Sequence, residues 1–328
     1  MLLCLLPAPQ AAAEIRTITA TGEYRMGDND TRADAKRLAL QDAKRLALEE
    51  AGTYIESITQ VKNFDLTKEE IRAYTAGIVE VTEQATRDVV EGITHIVRVD
   101  VTVKIDTDVV ARQIDALRKN ETVKAELLRA REEAERLRQE RDVLQRELAA
   151  AKSKPAVDAL ALKRREALTG ADVNSLLTQA WVALGASSEV LIAGTSSAAG
   201  RARARSLIEQ ALALDPSEPR AHHSMGGLLS EEGDLAGAIA AYRTALRLKP
   251  DLAEAHTNLG IALQVKGDRD GAIAEYRTAM RLKPDWALAH YNLGIALKAK
   301  GDLDGAIAAY RMALRLKPDY ADAHTNLG

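Results

Sequence analysis

The feature that most constrains the fold is a 34-residue repeat in the C-terminal half of the chain. The residues that mark it are Pro216, Pro250, Pro284 and Pro318. Within one period Gly260 is followed by Tyr276, and both return one period later as Gly294 and Tyr310. Glycine and alanine let two antiparallel helices approach closely, while leucine and tyrosine fill the space between them. The period therefore predicts stacked pairs of helices, with a proline closing each second helix.

These units resemble the tetratricopeptide repeat family. Three full units span 217–250, 251–284 and 285–318. A degenerate unit precedes them, with "ADVNSLLTQAWVAL" as its first helix and "ARSLIEQALALDP" as its second, so we predict repeats over 171–328. The last six residues, "AHTNLG", open a further first helix, and we expect this last repeat to be truncated and the sequence to be a fragment of a longer reading frame. The resemblance implies a right-handed superhelix whose concave groove is lined by the first helices.

An asparagine recurs once per repeat in the first helices, as Asn258, Asn292 and Asn326, although the earlier unit has Ser224 instead. A side-chain amide both donates and accepts, so a row of amides can hold an extended peptide backbone without reading its sequence. The row is similar to the asparagine ladder of the O-linked N-acetylglucosamine transferase family. An alternative is that asparagine is merely common at this position. The other predicted groove residues are Thr257, Ile261, Tyr291, Ile295 and Lys298.

Basic residues recur in the second helices. They are Arg243, Arg247, Arg277, Arg281, Arg311 and Arg315, followed by Lys249, Lys283 and Lys317. A spacing of four places each arginine pair on one face of its helix. Two interpretations stay open: a solvated outer face whose cations complement the helix C-termini, and a docking strip for an acidic partner.

Histidine also recurs once per repeat, and its positions are His222, His256, His290 and His324. A metal site would need several of these side chains to converge. Stacked repeats keep them apart, so we predict that they are packing residues and that no metal site exists.

The first folded domain is predicted over 14–106 as a small α+β unit with the order β-α-β-α-β-β. Thr31 with Asp34, and Thr67 with Glu70, have the form of capping boxes that begin two helices. Gly52 suggests the end of the first helix, and "TYIESITQV" (53–61) is predicted as the second strand. In "ITHIVRVDVTVKID" apolar and polar residues alternate, which predicts a strand with one buried face.

The stretches "ATGEY", "TRADAKRLALQDAKRLALEEAGTYIES" and "LTKEEI" resemble the N-terminal domain of the flagellar assembly protein T family and related envelope lipoproteins. The resemblance implies an extracytoplasmic interaction domain without catalysis. Residues 1–13, "MLLCLLPAPQAAA", form a signal-like segment with cleavage after Ala13, which favours a periplasmic location in a bacterial envelope. The alternative is an ordinary disordered N-terminus.

Residues 107–153 are predicted as a coiled coil. The heptad seam includes Leu127, Leu137, Arg141, Leu144 and Leu148. Glutamate at the g positions and mostly basic residues at the following e positions favour a parallel homodimer. The alternative is a single charged helix that bridges two domains. Residues 154–170, with Pro155, are predicted as a linker.

The remaining predictions concern function. A net charge of −3 gives no field that favours nucleic acid, and no apolar run approaches the roughly 20 residues of a membrane-spanning helix. The lone histidine of the first domain, His95, is predicted as a surface strand residue, and no catalytic, cofactor-binding or metal-ligand pattern accompanies it. The sequence thus predicts a multidomain, non-enzymatic scaffold that binds proteins or extended peptides. The alternative is the substrate-recognition part of a longer enzyme, such as a repeat-containing glycosyltransferase.

Overall fold

The computed structural model describes residues 15–27, 30–61, 66–79, 81–92, 94–106, 110, 112–115, 121–151, 153–186 and 198–327. The chain divides into two compact units, residues 1–200 and 201–328. The elements that lead through the first unit are β1 (Ile15–Arg25), α1 (Arg32–Val61), α2 (Lys68–Ile78), β2 (Val81–Glu91), β3 (Thr94–Asp106), α3 (Glu121–Ala150) and α4 (Lys154–Ala186). The signal-like segment, residues 1–13, lies outside the described residues.

A three-stranded antiparallel sheet forms the base of the first unit, in the order β1-β3-β2. Along β3 the alternation predicted from the sequence is confirmed, because Val97, Val99, Val101, Val103 and Ile105 are all buried. The opposite face carries polar pairs that water can reach: Arg98 Nε donates to Glu23, and Arg87 Nη2 donates to Asp100. One face of the sheet therefore makes the core, and the other is a solvated surface.

Helix α1 covers the buried face of the sheet and differs from the sequence prediction. It continues through Gly52 to Val61, so residues 53–61 are helical and the predicted second strand is wrong. The reason is a stripe of buried residues at intervals of four, Ala35, Ala39, Ala43, Ala47, Ala51 and Ile55. This stripe lies directly on β1, where a Cβ on Gly22 would come within 2.0 Å of the Ala39 carbonyl oxygen. Packing of this face outweighs the strand preference of the β-branched residues.

Both predicted helix starts are confirmed. The Asp34 backbone N–H donates to Thr31 Oγ1 at 3.1 Å at the start of α1. At α2, Thr67 Oγ1 accepts from the Glu70 N–H while the Glu70 side chain accepts from the Thr67 N–H. These bonds satisfy backbone donors that the first turn of a helix leaves free.

Helices α3 and α4 pack against each other and against α2. The seam residues Leu127, Leu137, Leu144 and Leu148 are buried within this one chain. Leu137 contacts Gly170 of α4, where an added Cβ would lie 3.3 Å from Leu137 Cδ2. The heptad pattern is therefore satisfied inside a single chain, and the parallel homodimer stays a prediction.

The segment that follows the predicted coiled coil also differs from the sequence prediction. Residues 154–170, predicted as a linker, are the first half of α4, with Pro155 in its first turn. Proline is tolerated there because the first N–H groups of a helix have no intrahelical acceptor. Arg141, a predicted seam residue, instead reaches α1, with Nη1 3.5 Å from Gln41 Oε1.

A buried polar cluster joins α4 to the first domain. The Arg164 side chain is fully buried, and its Nη1 donates to Asp30 Oδ1 at 2.5 Å and to Gln145 Oε1 at 2.8 Å. Asp34 lies on the other side of the guanidinium, 3.6 Å from Nη2. Tyr24 donates to Asp30, and burial raises the pKa of this phenol. Helices α3 and α4, which together form a helical hairpin, are thus part of the same folded unit as the α+β domain.

The second unit consists of helix pairs. Its helices are α5 (Ala198–Leu214), α6 (Pro219–Glu231), α7 (Leu235–Leu248), α8 (Ala253–Lys266), α9 (Arg269–Leu282), α10 (Ala287–Lys300), α11 (Leu303–Leu316) and α12 (Ala321–Leu327). We call α6, α8, α10 and α12 the first helices, and α7, α9 and α11 the second helices. Each pair meets where a first-helix glycine touches a second-helix tyrosine: a Cβ on Gly260 would lie 2.6 Å from Tyr276 Cε1.

The start of the repeats lies later than the sequence predicts. Residues 171–184, predicted as a first helix, continue α4 in the first unit. Asn174 Nδ2 donates to the Ala130 carbonyl at 2.7 Å, and Trp181 packs into the core of the α+β domain. The apolar residues of this segment therefore pack within the first unit, as part of the hairpin of α3 and α4, and not within a repeat.

Candidate peptide-binding groove

Successive first helices contact each other, α6 with α8 and α8 with α10. In the part of the chain that the structure describes, successive second helices make fewer contacts than these or none. This difference agrees with the expectation from the repeat family that the first helices line a concave groove.

Two recurring polar contacts fix the turns of each repeat. Asp268 caps α9 by accepting from the Gly271 N–H at 2.9 Å, and the same cap recurs one repeat earlier and one repeat later. Each recurring histidine donates through Nε2 to the carbonyl of the proline six residues before it, at 2.8–3.0 Å. The histidines thus bind the loop between repeats, and of the four only His290 is also buried as a packing residue would be.

His256 has a second partner that the other recurring histidines do not show among the described residues. Its Nδ1 lies 2.6 Å from Glu275 Oε2, while Nε2 lies 3.0 Å from the Pro250 carbonyl. A carbonyl and an ionised carboxylate only accept, so both ring nitrogens carry protons. Burial lowers the pKa of His256, but the hydrogen bonds to Glu275 and Pro250 outweigh it and raise the pKa above its ordinary 6.5.

The predicted asparagine row bridges neighbouring first helices. Asn258 Nδ2 lies 2.9 Å from His223 Nε2, and Asn326 Nδ2 donates to Tyr291 Oη at 3.2 Å. In both cases the partner is 35 residues earlier, one repeat plus one residue. Part of the hydrogen-bonding capacity of these amides is therefore used between repeats.

The middle asparagine has a different environment. Asn292 is buried, and its Nδ2 has no hydrogen-bond partner among the described residues. Thr257, 35 residues earlier, is fully buried with an unpartnered Oγ1 in the same description. Thr257 and Asn292 stand at the same offset as the other two pairs, and neither the Thr257 hydroxyl nor the Asn292 amide nitrogen is exposed to the groove.

The open part of the groove is more apolar than the sequence suggests. Ile261 is 36% exposed and Val265, one turn later on α8, is 65% exposed. On α10 the side chain of Lys298 is exposed, while Ile295 and Tyr291 are half-buried. These residues form a strip in which apolar surface alternates with amide and ammonium groups.

Sequence reasoning missed three contributors to this surface: His223, Val265 and Tyr320. His223 is the partner of Asn258, and Tyr320 stacks on Tyr291 with ring centroids 4.8 Å apart. Comparing residues at an offset of 35 as well as 34 would have found His223. The offset aligns each asparagine with the residue that faces it from the preceding repeat.

No described helix has the length and apolar character needed to span the hydrocarbon core of a membrane. Within the same described ranges, no three of the histidine, aspartate and glutamate side chains cluster in a way that would hold a metal ion.

The comparisons with known proteins concern the second unit. The TPR repeat family matches residues 226–267, 265–301 and 296–328. No curated protein sequence matches the chain significantly. The resemblance of residues 14–106 to the flagellar assembly protein T family stays a prediction.

Solved structures of repeat proteins are similar to part of the chain. A crystal structure of MamA is 19% identical, with a match that covers 52% of this chain and 99% of MamA at a TM-score of 0.38. The first TPR of Spaghetti (RPAP3), bound to an HSP90 peptide, is 22% identical over 34% of this chain and 90% of its own, at 0.34. A mutant O-GlcNAc transferase of Thermobaculum terrenum is 34% identical over 34% of this chain and 22% of its own, at 0.33.

The glycine–tyrosine contacts, the capped turns and the family match agree on one conclusion. The C-terminal region of the chain, residues 226–328, consists of tetratricopeptide repeats, a module typical of protein–protein interaction scaffolds.

Proposed function

We propose that the protein is a non-enzymatic scaffold that binds an extended segment of a partner protein in the groove of its first helices. The observation that carries the proposal is the exposed apolar strip of Ile261 and Val265 on the inside of the repeat stack. An extended peptide offers backbone N–H and C=O groups together with side chains at alternating positions. The strip provides apolar contact for the side chains, and the remaining oxygen of Asn258 and the Lys298 ammonium provide polar contact.

Selection of peptides tests this proposal directly. A random-peptide library is selected on the full-length chain, and the enriched peptides are measured by fluorescence anisotropy. Replacing Ile261 and Val265 by lysine should weaken binding by at least tenfold, because both side chains are exposed and neither change disturbs the core. Leu282→Lys is the matched control, since Leu282 is equally exposed (38%) but lies on a second helix. Enriched peptides that bind all variants equally would refute the groove as the site.

A bacterial envelope location is part of the proposal. It rests on the signal-like residues 1–13 and on the resemblance of residues 14–106 to extracytoplasmic domains. Expression with these residues in a bacterial host should release the mature chain in the osmotic-shock fraction. A chain found only in the cytoplasmic fraction, with residues 1–13 intact, would contradict export.

Dimerisation through the heptad seam receives no support from the packing of α3. The leucines that would face a second chain are buried within this one chain, and Leu137 packs on Gly170 of α4, so a parallel coiled coil would require α3 to leave these contacts. Light scattering coupled to gel filtration decides the point: twice the 35.5 kDa chain mass would support a dimer, and the single mass would remove it.

A further inference from the structure

A row of arginines on the second helices has no role in the groove. Its members, which we call the arginine stripe, are Arg243 and Arg247 on α7, Arg277 and Arg281 on α9, and Arg311 and Arg315 on α11. All of them are exposed. The opposite side of each second helix is buried, as Tyr276 and Ala279 show for α9. The stripe therefore lies on the exposed side of the second helices, away from the glycine–tyrosine contacts that join each pair.

The guanidinium groups of the stripe lack the partners that other cations in the same unit have. Lys300 pairs with Asp270 at 2.6 Å, Lys283 with Glu254 at 3.9 Å, and Arg205 with Glu232. Among the described residues, no carboxylate lies within ion-pair distance of any arginine of the stripe. Each pair also places two like charges four residues apart, an arrangement that destabilises an isolated helix.

The helix dipole accounts for only half of these residues. Arg247, Arg281 and Arg315 lie in the last turn of their helices, where a cation is favourable. Arg243, Arg277 and Arg311 lie one turn earlier, where the dipole has little effect. The charges of these three arginines thus recur at a position where neither the helix dipole nor an ion pair with a described residue stabilises them.

A cleft between repeats adjoins the stripe. Arg277 lies on its wall together with Ile273, Ala274 and Leu297, and its volume is about 450 Å³. Its acidic groups already have partners: Asp270 accepts from Lys300, and Asp302 caps α11. The cleft therefore has a mixed polar and apolar lining, in which the guanidinium of Arg277 has no ion-pair partner among the described residues.

We propose that the arginine stripe docks an acidic segment of a partner protein, at a surface separate from the groove. A guanidinium binds a carboxylate through two parallel hydrogen bonds, so a stripe of guanidinium groups fits a run of aspartate or glutamate. Nucleic acid fits less well. The tyrosines of the second helices, which would stack on bases, are buried. A membrane surface is the alternative that the vesicle probe tests, because Leu303 and Ile307 are exposed on α11 beside the arginines.

The test uses the full-length chain with fluorescein-labelled poly-L-glutamate as the probe. The stripe variant replaces Arg243, Arg277 and Arg311 by glutamine, which leaves the favourable C-terminal arginines in place. Exposed ion pairs are individually weak, so loss of three should weaken binding by roughly tenfold. The charge-matched control replaces Arg72, Lys266 and Arg269 by glutamine; these side chains are exposed, and no ion pair is seen for them among the described residues. The control should bind poly-L-glutamate within twofold of the wild type.

Two further probes decide the class of partner. Duplex DNA and phosphatidylglycerol vesicles should bind more weakly than poly-L-glutamate at the same salt concentration. The groove variant Ile261→Lys should bind poly-L-glutamate as the wild type does, which separates the two sites. The proposal is overturned if the wild type does not bind poly-L-glutamate, if both charge variants lose binding equally, or if the duplex or the vesicles bind more tightly through the stripe. Circular dichroism confirms that each variant keeps its helices.

Discussion

Two adjacent glycines in α6 should respond in opposite directions to the same substitution. A Cβ on Gly226 would lie 2.6 Å from Tyr242 Cδ1 and Cε1, whereas a Cβ on Gly227 would meet only Tyr242 Oη at 3.8 Å. Carbon atoms normally stay about 3.5–4.0 Å apart, so Gly226→Ala requires a shift of about 1 Å. Tyr242 is buried between the two helices and cannot swing away. Overpacking of this kind costs up to about 3 kcal/mol.

Alanine also favours helix over glycine by about 1 kcal/mol. We therefore expect Gly226→Ala to lower the free energy of unfolding of the repeats by about 2 kcal/mol. Gly227→Ala should raise it by about 0.5–1 kcal/mol, because only the helix preference changes. With a urea dependence of about 2 kcal/mol/M, the two midpoints should differ by more than about 1 M.

Urea unfolding of the full-length chain measures both effects. Trp286 lies in the repeats, and a Trp181→Phe background removes the other tryptophan, so fluorescence reports on the second unit. In a Tyr242→Ala background the cost of Gly226→Ala should disappear, because the ring that it meets is gone. Equal midpoints for the two glycine variants, or a cost that persists without the ring, would refute the packing argument.

Two further predictions concern polar contacts. Arg164→Met leaves Asp30 buried without its cation, so we expect a loss of about 3–5 kcal/mol in the stability of the first unit, measured by Trp181 fluorescence in a Trp286→Phe background. Lys163→Met, one residue away and exposed, should change this stability little, and a similar loss in both variants would contradict the buried pair. His256 has a raised pKa, so its bond to Glu275 stabilises the repeats fully below pH 6.5, and this contribution is lost as the pH rises through the raised value. The stability advantage of the wild type over Glu275→Gln should therefore shrink between pH 6 and pH 9, and an advantage that grows with pH would have the wrong sign.

The repeats were readable from sequence because their contacts are local and periodic. The pairing of Gly260 with Tyr276 follows from spacing alone, since the two helices are consecutive and the turn between them is short. Contacts between residues that lie far apart in the sequence could not be predicted in this way. Residues 53–61 have strand-forming composition, yet they continue the helix whose buried stripe runs from Ala35 to Ile55. The heptad leucines predicted a parallel homodimer, which stays a prediction; in the structure these leucines are already buried within one chain.

In the candidate groove, too, the sequence predicted positions but not contacts. Spacing placed Asn258 and Asn326 on the first helices, but it gave no information on whether their amides already form hydrogen bonds within the protein. His223 and Tyr291 face them from the preceding repeat, and this depends on the small displacement between repeats. A sequence period defines which residues are equivalent, whereas only the stacking geometry defines which residues touch.

The most direct test of the groove is to locate a bound peptide. A benzophenone amino acid is placed at position 265 or at position 282 of the full-length chain, and each variant is irradiated with a peptide selected on the wild type. We expect cross-links from position 265, on the inner side of the stack, and none from position 282. Cross-links from position 282 with none from position 265 would contradict the proposal that partner segments lie along the first helices.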